Sequence, residues 1–115
     1  MTSVGRIESL WRYPVKSMRG EELREAFLGF SGVYGDRTHA FCSSARPAGF
    51  PWLTARQQEA MLLFRAEYRY RDRTLRPVNL AEAETLGSGV TPVYADWSDL
   101  ALDVETPAGE RFAIV

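Results

Sequence analysis

The sequence predicts an all-β, mainly β domain, built as a small closed or partly open β-barrel with one short helical turn and a long surface excursion. Three observations carry this. Apolar residues recur at two-residue spacing in five or six short runs, glycine and proline separate the runs, and a chain of 115 residues has room for one core. In so small a chain, closure into a barrel removes strand edges that would otherwise stay unpaired.

The first strand is expected over Val4 to Tyr13, where Ile7, Leu10, Trp11 and Tyr13 stand among polar residues until Pro14 interrupts. Pro14 to Gly20 then forms a loop. A second strand over Leu23 to Phe30 runs into a turn punctuated by Gly29, Gly32 and Gly35, and a third covers His39 to Ser43. Pro47 and Gly49 place another turn over Arg46 to Phe50, before Pro51 and Trp52. Thr54-Ala-Arg-Gln57 fits a Thr-x-x-Gln capping box, in which the threonine oxygen and the glutamine side chain satisfy free backbone donors of one helical turn.

Met61 to Tyr70 reads as a strand, because Ala66, Tyr68 and Tyr70 alternate with Glu67 and Arg69. Asp72 to Asp99, with Pro77, Gly87, Gly89 and Pro92 around a helical window at Leu80 to Leu86, is the surface excursion. Leu100 to Val104, a turn at Thr106 to Gly109, and Arg111 to Val115 complete a terminal hairpin. The chain stops inside the apolar run Phe112-Ala-Ile-Val115, which reads as a domain border within a larger protein. Residues 1–115 are one domain on this reading.

A hydrophobic fraction of 45% and a charged fraction of 25% are those of an ordinary globular protein. One cysteine cannot form an internal disulfide, and Met1 to Leu10 lacks the basic and apolar regions of a secretion signal, so a cytoplasmic location is expected. No run approaches the roughly 18 apolar residues of a membrane span. A net charge of -1 argues against a polyanionic partner, leaving a small-molecule ligand as the better expectation and nucleic acid as the poorer one.

Three segments carry candidate chemistry. Lys16, Ser17 and Arg19 are concentrated in the Pro14 to Gly20 loop, where an ammonium, a hydroxyl and free backbone N–H groups suit an oxyanion such as phosphate; a solvated basic turn explains the same residues. Arg37, in Gly32-Val-Tyr-Gly-Asp-Arg37, offers a fork for phosphate or carboxylate, or else a structural pair with Asp36. Arg56 is left unexplained by the capping box around it. Cys42 is expected to be buried for packing, and His39, the single histidine, to be a half-buried strand residue. No catalytic set and no metal site is expected, since zinc and copper sites need three or four clustered ligands. The tryptophans Trp11, Trp52 and Trp97 and the tyrosines read as core and rim surface, with a stacking platform for single-stranded nucleic acid or a protein interface as the competing use. A purely structural or oligomerising domain is the third possibility.

Tyr13-Pro-Val-Lys-Ser17, Gly35-Asp-Arg37 and Leu53-Thr-Ala-Arg-Gln57, in this order and spacing, resemble the N-terminal β-barrel domain of MOSC proteins. The resemblance spans Val4 to Phe64 and, more weakly, the final hairpin. That family includes the carboxy-terminal part of molybdenum cofactor sulfurase and the mitochondrial amidoxime reducing component, in which the barrel precedes a MOSC domain. It implies a domain that helps hold the pterin form of the molybdenum cofactor, with Lys16, Ser17 and Arg37 at or near the pterin phosphate and Arg56 lining the same cleft. The catalytic MOSC domain, with its cysteine, would follow in the same protein and complete a sulfur-transfer or oxidoreductase enzyme acting on a small molecule. Neither Cys42 nor any other residue here matches that cysteine, and His39 stands where the family usually has an aromatic residue. Pyridoxal phosphate, used by some sulfurases, belongs to another domain again.

Overall fold

A computed structural model of the chain describes residues 2–29, 31–45, 49–86 and 92–115. It is mainly β. Strands β1 (Leu10–Arg12) and β2 (Glu21–Leu23) form one antiparallel pair, β3 (Leu28–Gly29) and β4 (Gly32–Val33) a second, and β5 (Phe41–Cys42) and β6 (Trp52–Leu53) a third. β7 (Arg65–Tyr68), β8 (Leu102–Glu105) and β9 (Arg111–Ile114) make a three-stranded antiparallel sheet with β8 in the middle. Helices α1 (Arg71–Thr74) and α2 (Leu80–Leu86) and 3₁₀ turns at Glu59–Leu63 and Trp97–Leu100 complete the elements. No sheet among the described residues closes on itself: the strands make three separate pairs and one three-stranded sheet. None of the helices is long and apolar enough to cross a membrane.

Several sequence expectations need correction. The first strand is only Leu10–Arg12: Val4 and Ile7 are exposed, and among the described residues no strand pairs with the segment before Leu10. The strand expected over Leu23 to Phe30 is broken, ending as β2 at Leu23 and resuming as β3 at Leu28, while the intervening Glu25 forms an ion pair with Arg76. Met61 lies in a 3₁₀ turn rather than a strand, and β7 begins at Arg65, with Ala66 and Tyr68 inward as their spacing requires. Cys42 is exposed: in the two-residue strand β5 its neighbour Phe41 packs against the core, so alternation turns Cys42 outward. Of the aromatic residues expected as core and rim surface, Tyr34 and Tyr68 are buried, while Trp11, Trp52 and Trp97 are all exposed. The excursion contains α1, α2 and the second 3₁₀ turn, and the expected helical window is α2 itself. Phe30, most of the expected turn at Arg46 to Phe50, and Gly87 and Gly89 lie outside the described residues.

The loop between β1 and β2 is the seam of the molecule. Val15 bridges in parallel to His39 and Arg19 in parallel to Arg65. The Lys16 N–H donates to His39 O at 3.0 Å, the Arg19 N–H to Phe64 O at 2.7 Å, and the Ala66 N–H to Arg19 O at 3.1 Å. Val15 and Met18 point into the core with Ala66, Tyr68, Leu102 and Val104, which leaves Lys16 and Arg19 outside. Burying Val15 and Met18 contributes roughly 1.5–3 kcal/mol each, enough to hold the loop down.

Beneath this seam lies a fully buried charge. Arg12 is 0% exposed; its Nε donates to Glu21 Oε1 at 2.9 Å and its Nη2 also pairs with that carboxylate. Its Nη1 donates to Thr74 O at 2.7 Å and Tyr34 O at 3.3 Å, and the guanidinium lies 4.6 Å from the centre of the Tyr68 ring. Glu21 Oε2 accepts the Tyr68 N–H at 3.2 Å and faces Arg71 Nε at 3.5 Å. One guanidinium thus ties together β1, β2, the β4 turn, β7 and α1. Two glycines make room for it. A Cβ on Gly20 would lie 2.3 Å from Arg12 O; one on Gly35, whose φ is +83°, would lie 2.9 Å from Arg12 Nη1. Replacing Arg12 with Ala leaves the buried Glu21 carboxylate with only the Tyr68 N–H and the longer Arg71 contact, so urea unfolding should show a loss of roughly 3–5 kcal/mol.

A polar chain runs beside this pair. The Tyr68 hydroxyl donates to Gly35 O at 2.7 Å, so its oxygen accepts from the Thr38 hydroxyl, and Thr38 Oγ1 accepts from His39 Nδ1 at 2.7 Å. That assigns the Nδ1–H tautomer. Burial lowers the pKa of His39 below the ordinary histidine value and raises that of Tyr68. The unfolded chain therefore takes up the histidine proton first: the contribution is complete above about pH 6.5 and is lost as pH falls through that value toward the lower folded pKa. Replacing His39 with Gln should flatten the fall in urea midpoint between about pH 7.5 and 5.5.

Candidate functional site

Two loops meet on the surface above the seam. The Thr54 to Gln57 turn forms with the glutamine half of its capping box: the Gln57 side-chain carbonyl accepts the Thr54 N–H at 3.0 Å, while Thr54 Oγ1 accepts the N–H of Arg56 at 3.3 Å and not that of Gln57, which goes to Thr54 O. The Ala55 N–H donates to Ser17 Oγ at 3.0 Å, fastening this turn to the β1–β2 loop across 38 positions of sequence.

Lys16, Ser17 and Arg56 consequently line one open cleft of about 380 Å³, together with Phe50, Thr54 and Ala55. The volume falls within the range of small-ligand sites. No carboxylate lines the cleft, and neither Lys16 nor Arg56 forms an ion pair among the described residues. Two cations, the hydroxyl residues Ser17 and Thr54 and an aromatic ring therefore share one recess. Phe50 was not among the residues singled out from the sequence; its signal is an aromatic residue directly before Pro51 at the end of a Pro- and Gly-containing turn.

Arg37 is not among the residues lining this cleft. Its guanidinium pairs with Asp36 and lies 5.0 Å from the centre of the Tyr13 ring, while its N–H donates to Tyr13 O at 2.6 Å. The Tyr13 N–H in turn donates to Asp36 Oδ1 at 2.6 Å. The Arg37 segment thus runs alongside the Lys16 loop, joined to it by the His39 bridge two residues later. Arg19, on the same loop, projects at the Arg65 bridge and is likewise not part of the cleft lining.

Backbone strain is concentrated in these two segments. Among the described residues, Ser17 (φ 70°) and Arg37 (φ 51°) are the only non-glycine positions with positive φ. A side chain there costs of order 1–3 kcal/mol, and such strain persists only where surrounding contacts over-determine it. For Ser17 those contacts are the Ala55 bond and the Met18 N–H to Val15 O bond at 3.3 Å; for Arg37 they are the bonds to Tyr13 and Asp36.

The donors in the cleft suit the phosphate end of an anionic cofactor: they are cationic or neutral hydrogen-bond donors, with no acid to oppose them. They supply no thiolate or imidazole to a metal, and no group of three or more potential metal ligands occurs among the described residues.

The family model of the MOSC N-terminal beta barrel domain matches residues 4–106, and so runs through the excursion as well as the motif-bearing half. No curated protein and no solved structure matches the chain. With the mainly β architecture and a family match over most of its length, the chain belongs to the MOSC N-terminal β-barrel domain family.

Proposed function

We propose that this domain is the anion-holding half of a molybdenum-cofactor protein, with Lys16, Ser17 and Arg56 taking the pterin phosphate and Arg37 flanking it. The family is associated with that cofactor, and the chain is of the kind found at the N-terminus of cofactor-sulfurase-like proteins. The observation that carries the reading is the meeting of Lys16, Ser17 and Arg56, from separate loops, around one cleft without an acid. The positive φ of Ser17 and Arg37 supports it, because strain of this kind clusters at binding sites.

Within the cleft, Lys16 supplies a mobile point charge and Arg56 a planar fork, while Phe50 offers a face for a flat ring. Ser17 Oγ already accepts from Ala55, so its hydroxyl proton remains to be donated to a guest oxygen. Arg37, held by Asp36, sets the position of Tyr13 and of the strand leading into the loop. When bound, the cofactor would supply atom-transfer or redox chemistry at its metal, completed by a following MOSC domain of the same cytoplasmic protein acting on a small-molecule substrate.

Each charge-assisted bond contributes about 1.5–3 kcal/mol, so loss of one cation should weaken binding roughly tenfold or more. Titration calorimetry of the chain with a phosphorylated pterin should show weak, salt-sensitive binding that Lys16→Ala and Arg56→Ala each reduce by about tenfold, and Arg37→Ala by less. Undiminished binding in the Lys16→Ala, Arg56→Ala double variant would refute the site. Phe50 beside two cations also suits a stacked nucleotide, so tighter binding of a single-stranded oligonucleotide than of the pterin would favour that second function.

A further inference from the structure

One row of charges crosses the three-stranded sheet and the loop beside it. Arg19 stands opposite Arg65, Arg65 opposite Glu105, and Glu105 opposite Arg111. Met18, Ala66 and Val104 are buried, so alternation turns Arg19, Arg65 and Glu105 to the outer face. The row therefore reads cation, cation, acid, cation. Its two adjacent cations are fixed by the main chain. The Arg19 N–H donates to Phe64 O and the Ala66 N–H to Arg19 O, a parallel bridge that sets Arg19 and Arg65 side by side about 4.8 Å apart at the backbone. Both are exposed. Like charges leaving the backbone at that spacing repel, and the nearby carboxylates of this face are already engaged. Glu105 Oε2 lies 3.8 Å from Arg111 Nε, while Glu67, two residues along β7, accepts from Arg111 Nη2 at 2.6 Å and faces Arg71 Nη2 at 3.8 Å. Among the described residues neither Arg19 nor Arg65 forms an ion pair. The residues outside that set carry no carboxylate side chain to complete one.

We propose that Arg19 and Arg65 form a second anion site, separate from the Lys16 cleft, that takes a phosphoryl group. The lining of the cleft includes neither arginine. A phosphoryl group carries about −1.5 to −2 charge and three acceptor oxygens, enough to answer two guanidinium groups at once. A carboxylate has one charge and two oxygens, which a single guanidinium fork already fills. A long polyanion fits the face poorly, because Glu67 and Asp103 stand opposite one another in the next row outward on the same strands. The guest would relieve the repulsion between the two arginines and add to the main-chain bonds that join the loop to β7.

Titration of the 115-residue chain with inorganic phosphate at constant ionic strength, followed by the arginine Nε–Hε signals, tests this. The Arg19 and Arg65 signals should move together and saturate with one dissociation constant, of about 1–10 mM. Arg65→Gln should weaken the response of Arg19 about tenfold, and Arg19→Gln that of Arg65, with the melting temperature of the free chain unchanged because both side chains are exposed. Lys16→Ala should leave both responses as they are, so the fate of the Lys16 cleft is decided separately. Acetate at the same ionic strength should saturate neither signal. Glycerol phosphate separates the sources: a matching response means that the site admits a phosphate ester of a larger ligand, and a response to inorganic phosphate alone means that it holds the free ion. Unsaturated or independent drift of the two signals, an equal response to acetate, or loss of both responses in Lys16→Ala would overturn the proposal.

Discussion

A buried guanidinium with a carboxylate partner is an expensive thing to keep, and in this domain it decides the arrangement of almost everything else. Arg12 is wholly enclosed, and Glu21 is its carboxylate partner. The remaining donors go to the carbonyls of Tyr34 and Thr74. Desolvating such a pair gives back much of its attraction, so its value lies less in net stability than in what it forbids. A shift of β2 by one residue against β1, or a displacement of α1, would leave a charge without a partner in the interior. Gly20 and Gly35 are bound to the same constraint, because a methyl group at either would strike Arg12.

The candidate site is a consequence of that arrangement. With β1 and β2 fixed in register, the loop between them has to cross the core on Val15 and Met18, and its other residues turn outward. Bridges to His39 and Arg65 hold it on both sides. Ser17 is forced into a left-handed conformation there and receives the Ala55 N–H, which brings Arg56 beside Lys16. A cleft bearing two cations that form no ion pair among the described residues is therefore set by the main chain more than by its own side chains.

Much of this could be read from the sequence, for identifiable reasons. Local signals held where local forces dominate: the terminal hairpin, the glutamine half of the Thr54 capping box, the helix at Leu80–Leu86 and the inward Ala66 and Tyr68 all follow from short-range periodicity or capping. Failures came where a distant partner decides. Arg12 reads as an ordinary polar residue in an alternating strand; nothing near it announces that Thr74, 62 residues away, will accept its hydrogen bond. Cys42 was misjudged because burial statistics for cysteine do not know which way a two-residue strand faces. Whether a tryptophan belongs to core or rim is likewise set by distant packing: Trp97 is 82% exposed at a 3₁₀ turn. Of the four site residues, Lys16, Ser17 and Arg56 are brought to one cleft, while Arg37 goes to the neighbouring segment because Asp36 and Tyr13 are closer partners.

Held by these bridges, the loop between β1 and β2 is part of the cooperative core and not a surface excursion. Native-state hydrogen exchange of the Arg19, Arg37, His39 and Ala66 amides tests it most directly. If the loop belongs to that core, all four open only with global unfolding, with the same free energy and the same urea dependence as the β7–β8 ladder. Exchange of these amides at the rate of an unprotected loop, while β7 and β8 stay protected, would contradict it.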